Sequence, residues 1–286
     1  MNKMRLCSRI NLNYSKNESI SEGVTGGLAY LKSKGFDAAD FTMKLIEPLG
    51  ENWQDCIEKV VSDSEKIGIR FEISHLPFNL KTATDPSFLP KFEKDVICAI
   101  DASKMLGVDY AVIHPNTVTV PAEDFNRRKS YDSVMRHLSP FAEYANKVGV
   151  KIAVENMRVV HEKYSTHRYC QDPDELCEVS DALGCCVCWD FGHANIGGLC
   201  QSQAIRYIGK RLKVLHVNDN TGTDDDHLPP FVGKIDWRDA MKGLSDIGFS
   251  GLFNYEIATS NIPEALRDSF ADYLVRCARE IISYIG

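Results

Sequence analysis

The 286-residue chain is 44% hydrophobic and 26% charged, with a formal charge of −7, which excludes a disordered, collagen-like or coiled-coil chain. No apolar run approaches the roughly 18 residues of a membrane-spanning helix, and Met1-Asn2-Lys3-Met4-Arg5 leads into no signal-like stretch, so a soluble cytoplasmic protein with no membrane partner is expected. With 33 basic against 40 acidic residues the chain offers no broad field for a polyanion, and nucleic acid is an unfavoured partner.

The first apolar run, Leu6–Leu12, reads as a strand. From there a single device recurs: an amphipathic segment closes on one glycine and an apolar run follows at once. The junctions are Lys34-Gly35, Ile67-Gly68, Leu106-Gly107, Val148-Gly149, Leu183-Gly184, Ile208-Gly209 and Ile247-Gly248. A glycine just past a helix supplies the left-handed backbone that ends it, so each junction predicts helix end, tight turn and buried strand. The strands expected after them are Phe36–Met43, Ile69–His75, Val108–His114, Val150–Glu155, Cys185–Asp190, Lys210–His216 and Phe249–Glu256. The segments between carry apolar residues at helical spacing, such as Cys56, Val60 and Ile67, and a last helix is expected over Ala265–Ile285. Eight strand-helix units match a parallel (β/α)8 TIM barrel, an α/β fold of about 250 residues. No linker or low-complexity stretch divides residues 1–286, so one domain is expected. An open doubly wound sheet is the alternative, but the loop after the first strand lacks the G-x-G-x-x-G turn such sheets often carry.

Counting forward from the glycines exposes the chemistry. Six consecutive strands end in a histidine or carboxylate: His75, His114, Glu155, Asp190, His216 and Glu256. Barrel enzymes place their sites at that rim. Most of these residues close apolar runs such as Ala111-Val112-Ile113-His114, where an unpaired charge would be costly unless bound to a partner or metal. Oxygen and nitrogen ligands without thiolates suit a divalent Mn, Mg, Co or Zn ion.

Other residues read more plainly. The ten cysteines are scattered through apolar segments and are expected to be free thiols. Cys185 and Cys188 have redox spacing, but in a strand they would point to opposite faces. His137 is expected at the surface, His161 and His167 solvated in a lid-length segment Arg158–Arg168, and Arg127-Arg128-Lys129 at a solvated helix start. Trp189 and Trp237 suit the core, and Phe231 a hydrophobic wall.

The runs Ser74-His75-Leu76-Pro77, Val112-Ile113-His114-Pro115-Asn116, Ala153-Val154-Glu155-Asn156, Trp189-Asp190-Phe191-Gly192-His193, Leu215-His216-Val217-Asn218-Asp219 and Tyr255-Glu256 together resemble the xylose isomerase-like TIM barrel superfamily. So does Asp225-Asp226-His227-Leu228-Pro229-Pro230, continuing to Gly233-Lys234-Ile235-Asp236-Trp237. That superfamily includes sugar phosphate isomerases and epimerases and the family-2 AP endonucleases. In its carbohydrate branch, the resemblance implies, one divalent ion is held by Glu155, Asp190, His216 and Glu256. Glu155 and Glu256 would then be the catalytic pair, moving protons on and off adjacent carbons through an enediolate. His193 would contact a substrate oxygen. His75, His114, Asp225 and His227 would, with His193, bind substrate or a second metal. The expected partner is a small carbohydrate, with the protein itself a homodimer as such barrels often are.

The rival branch is the endonuclease IV-type nuclease, whose three zinc ions take nine ligands that match His75, His114, Glu155, Asp190, His193, His216, Asp225, His227 and Glu256 by type and order. Against it stand the opening Arg9-Ile10-Asn11-Leu12-Asn13-Tyr14, which lacks a Gly-Ala-His-type start, and the acidic balance. Positions 217–233 hold no Arg, unlike several ketose epimerases, so a plain ketohexose 3-epimerase is less expected than action on another polyol, an inosose-type dehydration or cleavage of an unusual C-glycoside. A non-catalytic sugar-binding barrel or complex subunit is the third reading, disfavoured because binding alone does not need two opposed carboxylates.

Overall fold

The computed structural model describes residues 4–10, 20–42, 52–83, 85–259 and 262–285. In chain order the elements are β1 (Arg5–Arg9), α1 (Ile20–Lys34), β2 (Ala38–Thr42), α2 (Trp53–Ile67), β3 (Arg70–His75), α3 (Leu89–Leu106), β4 (Tyr110–Ile113), β5 (Thr119–Pro121), α4 (Arg127–Val148), β6 (Ile152–Glu155) and β7 (Thr166–Arg168). They continue with α5 (Pro173–Leu183), β8 (Cys186–Asp190), α6 (Phe191–Ile196), α7 (Gln201–Ile208), β9 (Leu212–His216), α8 (Trp237–Asp246), β10 (Leu252–Tyr255) and α9 (Arg267–Ile282). Eight strands pair in parallel in the order β10-β1-β2-β3-β4-β6-β8-β9. Val217 joins the two ends, its N–H donating to the Asn254 carbonyl at 2.8 Å and its carbonyl accepting from the Glu256 N–H at 3.1 Å. This closes the expected (β/α)8 barrel. The short strands β5 and β7 pair antiparallel with each other, Thr119 opposite Arg168.

All seven junction glycines take positive φ, from 59° to 87°. The strands start one to three residues later than their apolar runs because the chain uses those residues to turn back before joining a ladder. Gly209 differs from the rest: its ψ of −132° leads into a 3-10 turn over Gly209–Arg211, and the strand begins at Leu212. The last helix starts at Arg267 after a 3-10 turn over Glu264–Leu266. The expected strand ends at Asn11–Leu12 and Met43, and the opening-loop residues Asn11 to Tyr14, lie outside the described residues.

Alternation along each strand sorts the core into two parts. One side packs against the helices in a large cluster that includes Leu6, Phe41, Phe71, Ile113, Val154, Trp189, Leu215 and Phe253. The other side meets inside the barrel, where Cys7, Ala38, Ile73, Val112, Ala153, Cys188, Val214 and Leu252 form one apolar cluster with a residue from each barrel strand. Cys185 packs toward the helices and Cys188 inside the barrel, on opposite faces as expected, and all ten cysteines are free. Among the described residues no helix is long and apolar enough to cross a membrane.

Candidate active site

Two residues further along three of those strands, and four further along the fourth, the inward positions change character. Glu155, Asp190 and His216 end β6, β8 and β9, and Glu256 follows β10 directly. One ligand atom from each of the four lies within 4.8 Å of those of the others, and all four residues are buried. His216 Nδ1 sits 3.2 Å from Glu155 Oε1 and 2.9 Å from Glu256 Oε2. Neither approach has hydrogen-bond geometry: Glu155 Oε2 and both ring nitrogens of His216 are buried without a hydrogen-bond partner. Atoms that converge this closely without bonding one another are arranged around a shared point, and their oxygen and nitrogen chemistry fits a divalent cation.

The two carboxylates come from strands separated by β8 and β9, so they reach the mouth from different sides with Asp190 and His216 between them. Burial opposes the charge on Glu155, but His216 and His114 outweigh it and hold its carboxyl well below the usual carboxylate range. Burial likewise opposes Glu256, and His216 again prevails and lowers it. At Asp190 burial outweighs the nearby His193, whose Nδ1 lies 4.0 Å from its Oδ1, and pushes it up to about 6. The cluster therefore needs cationic partners, either protons on its histidines or a metal ion.

Asp190 is fixed from three directions. Its N–H donates to Asn156 Oδ1 at 2.6 Å, its carbonyl accepts from Asn156 Nδ2 at 3.0 Å, and its Oδ2 accepts from Asn218 Nδ2 at 2.7 Å. Its Oδ1 also caps the short helix α6 by accepting from the His193 N–H at 2.6 Å. The Asn after Glu155 and the Asn two residues past His216 thus orient the aspartate, a role strand-end counting does not reveal. Asp40 on β2 is a further buried carboxylate near this layer, accepting from Asn254 Nδ2 at 2.8 Å, with its pKa raised by burial.

The remaining expected residues gather around this centre. His75 Nε2 and His114 Nε2 lie 3.3 and 3.2 Å from Glu155 Oε2 and 3.2 Å from each other. With Glu155 they form a second group whose ligand atoms lie mutually within 4.8 Å. Burial lowers the His114 pKa, whereas at His75 Glu155 outweighs burial and raises it. His193 places Nδ1 2.7 Å from the Asn156 carbonyl and Nε2 3.4 Å from Asp225 Oδ2. His227 Nε2 lies 3.4 Å from Asp225 Oδ1, and its Nδ1 is 2.7 Å from the Glu256 carbonyl. Burial works against charge on both rings, but for His193 Asp190 and Asp225 overcome it and raise the pKa to about 10; for His227, Asp225 leads and the value reaches about 9. All nine expected residues are brought to one mouth.

The loop that delivers Asp225 and His227 is tied down by Asp219. Its carboxylate accepts N–H bonds from Phe231 and Ile235 at 3.1 Å each and the Trp237 indole N–H at 3.3 Å. At Gly233 a Cβ would lie 2.2 Å from Asp219 Oδ1 and 2.4 Å from the Asn220 carbonyl, so the loop can wrap this carboxylate only with glycine there. Trp189 and Trp237 are buried, as expected, and Phe231 is exposed with φ 70°.

Above the centre lies a cavity of about 280 Å³ lined by the site residues other than Asp190 and His216, together with Leu76, Phe78, Met157, Arg9, Arg158 and Arg168. That is close to the lower end of small-molecule sites, roughly 300–1,000 Å³. Phe78 stacks on His114 with centroids 4.5 Å apart, and Arg9 Nη1 reaches Glu256 Oε1 at 3.2 Å. The three arginines are missed by counting from the glycines, since Arg9 ends β1 and the other two lie beyond β6.

Two histidine expectations are corrected. His167 is not solvated: it sits on β7 with Nε2 2.8 Å from Glu175 Oε1 and its ring 3.8 Å from that of Phe125, tying the β5–β7 pair to α5. His137 is not at the surface: it stacks on Phe92 at 5.5 Å and packs edge-on to Phe141, with Nε2 buried and unpartnered. His161 remains exposed, with Nε2 3.1 Å from the Ile196 carbonyl. Arg127 starts α4 as expected, paired with Asp174 and Glu178.

Residues 28–277 match the family model described as xylose isomerase-like TIM barrel. Relatives include the inosose isomerase of Bacillus licheniformis, 29% identical over 188 residues that cover 63% of this chain and 64% of that protein. The fructoselysine 3-epimerase of Shigella flexneri is 25% identical over 206 residues, 69% of this chain and 70% of that one. The fold is similar to that of a D-tagatose 3-epimerase-like protein, with a TM-score of 0.73 at 21% identity over 98% of each chain. It is also similar to 3-keto-D-glucoside 4-epimerase of E. coli, with a TM-score of 0.68 at 18% identity over 96% of this chain and all of that one. The chain belongs to the xylose isomerase-like TIM barrel family.

Proposed function

We infer that the chain, working as one barrel domain, is a divalent-metal-dependent isomerase or epimerase of a small sugar or sugar derivative. The observation that carries this reading is the meeting of Glu155, Asp190, His216 and Glu256 within 4.8 Å at the C-terminal end of the barrel, with ligand atoms of Glu155 and His216 that hydrogen-bond to nothing. Family membership and the named isomerase and epimerase relatives support it further.

Those four residues would hold the ion, with Mn, Co, Mg or Zn compatible with the donor set. When bound, the cation would act as a Lewis acid that makes a hydrogen next to a carbonyl easier to remove. Glu155 and Glu256, reaching the mouth from separated strands, act as the proton-transfer pair: one carboxylate takes a proton from carbon, and the other returns one to the enediolate. Their lowered pKa values favour the ionised form that the base needs, and the partner enters the step carrying the proton that it returns. Asn156 and Asn218 hold Asp190 in place, while His193 and His227 present ring nitrogens to substrate oxygens. Leu76, Phe78 and Met157 form an apolar wall that limits water.

A second reading rests on the second close group, His75, His114 and Glu155, which would suit another cation and brings the endonuclease IV-type set into view. Among the described residues, His193, Asp225 and His227 do not form a third group of that kind. Elemental analysis of the purified protein, combined with deuterium uptake from solvent into ketoses and inososes, tests both readings. About one divalent ion per chain with uptake next to the carbonyl supports the isomerase. Close to three zinc ions with incision of abasic duplex DNA would replace it with the nuclease, and turnover that survives Glu155→Gln and Glu256→Gln would remove the two-carboxylate mechanism.

A further inference from the structure

One cation in the cavity has no ion-pair partner among the described residues. Arg168 ends β7, and the residue is only 7% exposed although it lines the cavity. Its Nε donates to the Thr117 carbonyl at 3.1 Å, and its own N–H donates to Gln171 Oε1 at 2.9 Å. Thr117 is locked in turn, its hydroxyl donating to the Tyr169 carbonyl at 3.0 Å. The guanidinium is thus oriented by one backbone acceptor, the Thr117 carbonyl. Its two Nη groups have no acceptor among the described residues, and no described carboxylate lies within ion-pairing distance of it. The site acids influence it only from further away, and Arg158 adds a second positive charge nearby; burial, with that neighbour, pulls the Arg168 pKa down to about 10. Among the described residues Arg158 makes one long ion pair, Nε to Asp225 Oδ2 at 3.8 Å.

A buried guanidinium beside another, with no carboxylate at pairing distance, is unfavourable in the empty site and favourable once an oxyanion reaches it. The planar fork of N–H donors matches the paired oxygens of a carboxylate or phosphate.

We propose that the substrate is an acid sugar, a sugar or polyol derivative bearing a carboxylate or phosphate that Arg168 and Arg158 grip while its reacting carbons lie against the four-residue cluster. This rests on the isomerase reading and deepens it. Anchoring a group remote from the reaction is a standard way to position the reacting carbons.

The test is equilibrium binding, which needs no turnover and so separates failure of this proposal from failure of the isomerase reading. Calorimetry on the metal-loaded protein compares D-fructose, D-fructose 6-phosphate, D-fructuronate and an abasic-site duplex. The expected result is an anionic ketose bound about tenfold or more tighter than D-fructose, the size of one good charge-assisted contact. In Arg168→Gln that preference should collapse, with the loss in affinity falling on the anionic ketose far more than on D-fructose. Arg158→Gln, at the more exposed position, should reduce it partly, and Arg168→Lys should restore part of it. Tighter binding of the phosphate identifies a sugar phosphate, and tighter binding of the uronate identifies a sugar acid. Equal or absent binding of neutral and anionic ketoses, a preference that survives Arg168→Gln, or arginine variants that weaken only the abasic duplex would each overturn the proposal.

Discussion

Two residues separate Ala153 from Glu155, Cys188 from Asp190 and Val214 from His216, and on each strand the first belongs to the apolar cluster inside the barrel while the second belongs to the charged cluster at its mouth. The same two-residue step runs from Ile73 to His75 and from Val112 to His114. Backbone and strand are common to both layers, so their difference lies wholly in side chains. The lower layer gains by removing apolar surface from water and leaves no polar group to satisfy. The upper layer buries carboxylates and histidines at a cost that hydrogen bonds from Asn156 and Asn218 offset only at Asp190. The lower layer should govern stability and the upper layer activity.

The largest separation should come from Glu155→Gln and Glu256→Gln. Loss of a general acid or base lowers turnover by about 10²–10⁴-fold. Melting temperature, followed by circular dichroism on the ion-free protein, should fall by less than in the apolar layer, because each change removes a carboxylate whose charge His216 stabilises but also relieves the cost of burying it. A large drop in melting temperature with turnover intact would reverse the assignment of roles. In the layer below, Ile73→Ala should do the opposite. A buried Ile truncated to Ala costs about 2–5 kcal/mol. Denaturant titration should show that loss while metal content per chain and turnover of the folded fraction stay near those of the parent.

The sequence carried this contrast unevenly. The barrel is legible because seven helices each close on a glycine with positive φ and a barrel strand follows within a few residues, and the strand-end His and carboxylate residues are legible because they break apolar runs. What escaped notice was support delivered across the fold. Asn156 and Asn218 lie beside expected site residues, yet nothing local shows that both meet Asp190. Arg168 lies in a polar segment that reads as solvated until β5 and β7 pair and carry it to the cavity. His137 was recoverable, since Val134, Leu138 and Phe141 are buried on its helix and it completes their helical spacing. Its neighbour Arg136 made the segment look exposed.

Gly192→Ala probes how closely the upper layer is held. A Cβ there would lie 1.9 Å from Asn218 Oδ1 and 2.9 Å from Asn220 Nδ2, so Asn218 must move away from Asp190. Groups that orient a metal ligand typically contribute 10–100-fold in affinity, and a weakening of about that size is expected in a competition assay with a chelator. Unchanged affinity would mean that Asp190 keeps its position without Asn218. Folding stability should respond less than in Ile73→Ala, because the displaced side chain is polar and belongs to the layer around Asp190 rather than to the apolar layer.

The smallest effect lies outside both layers and sets their background. His137 sits between Phe92 and Phe141 with Nε2 unpartnered, and burial lowers its pKa to about 4. A free histidine titrates near 6.5, so between these values the unfolded chain binds a proton that the folded chain does not. Stability from this residue is therefore flat above about pH 6.5, declines as pH falls toward 4, and amounts to a loss of roughly 1–2 kcal/mol between pH 7 and pH 5. His137→Leu should keep the packing and remove that portion of the slope. Urea midpoints at pH 7 and pH 5 for parent and variant measure it, and a slope identical in both would mean that the ring is hydrated in solution. Subtracting this contribution isolates the pH dependence of the mouth, where addition of the metal should shift stability at pH 7 but leave the His137 difference untouched.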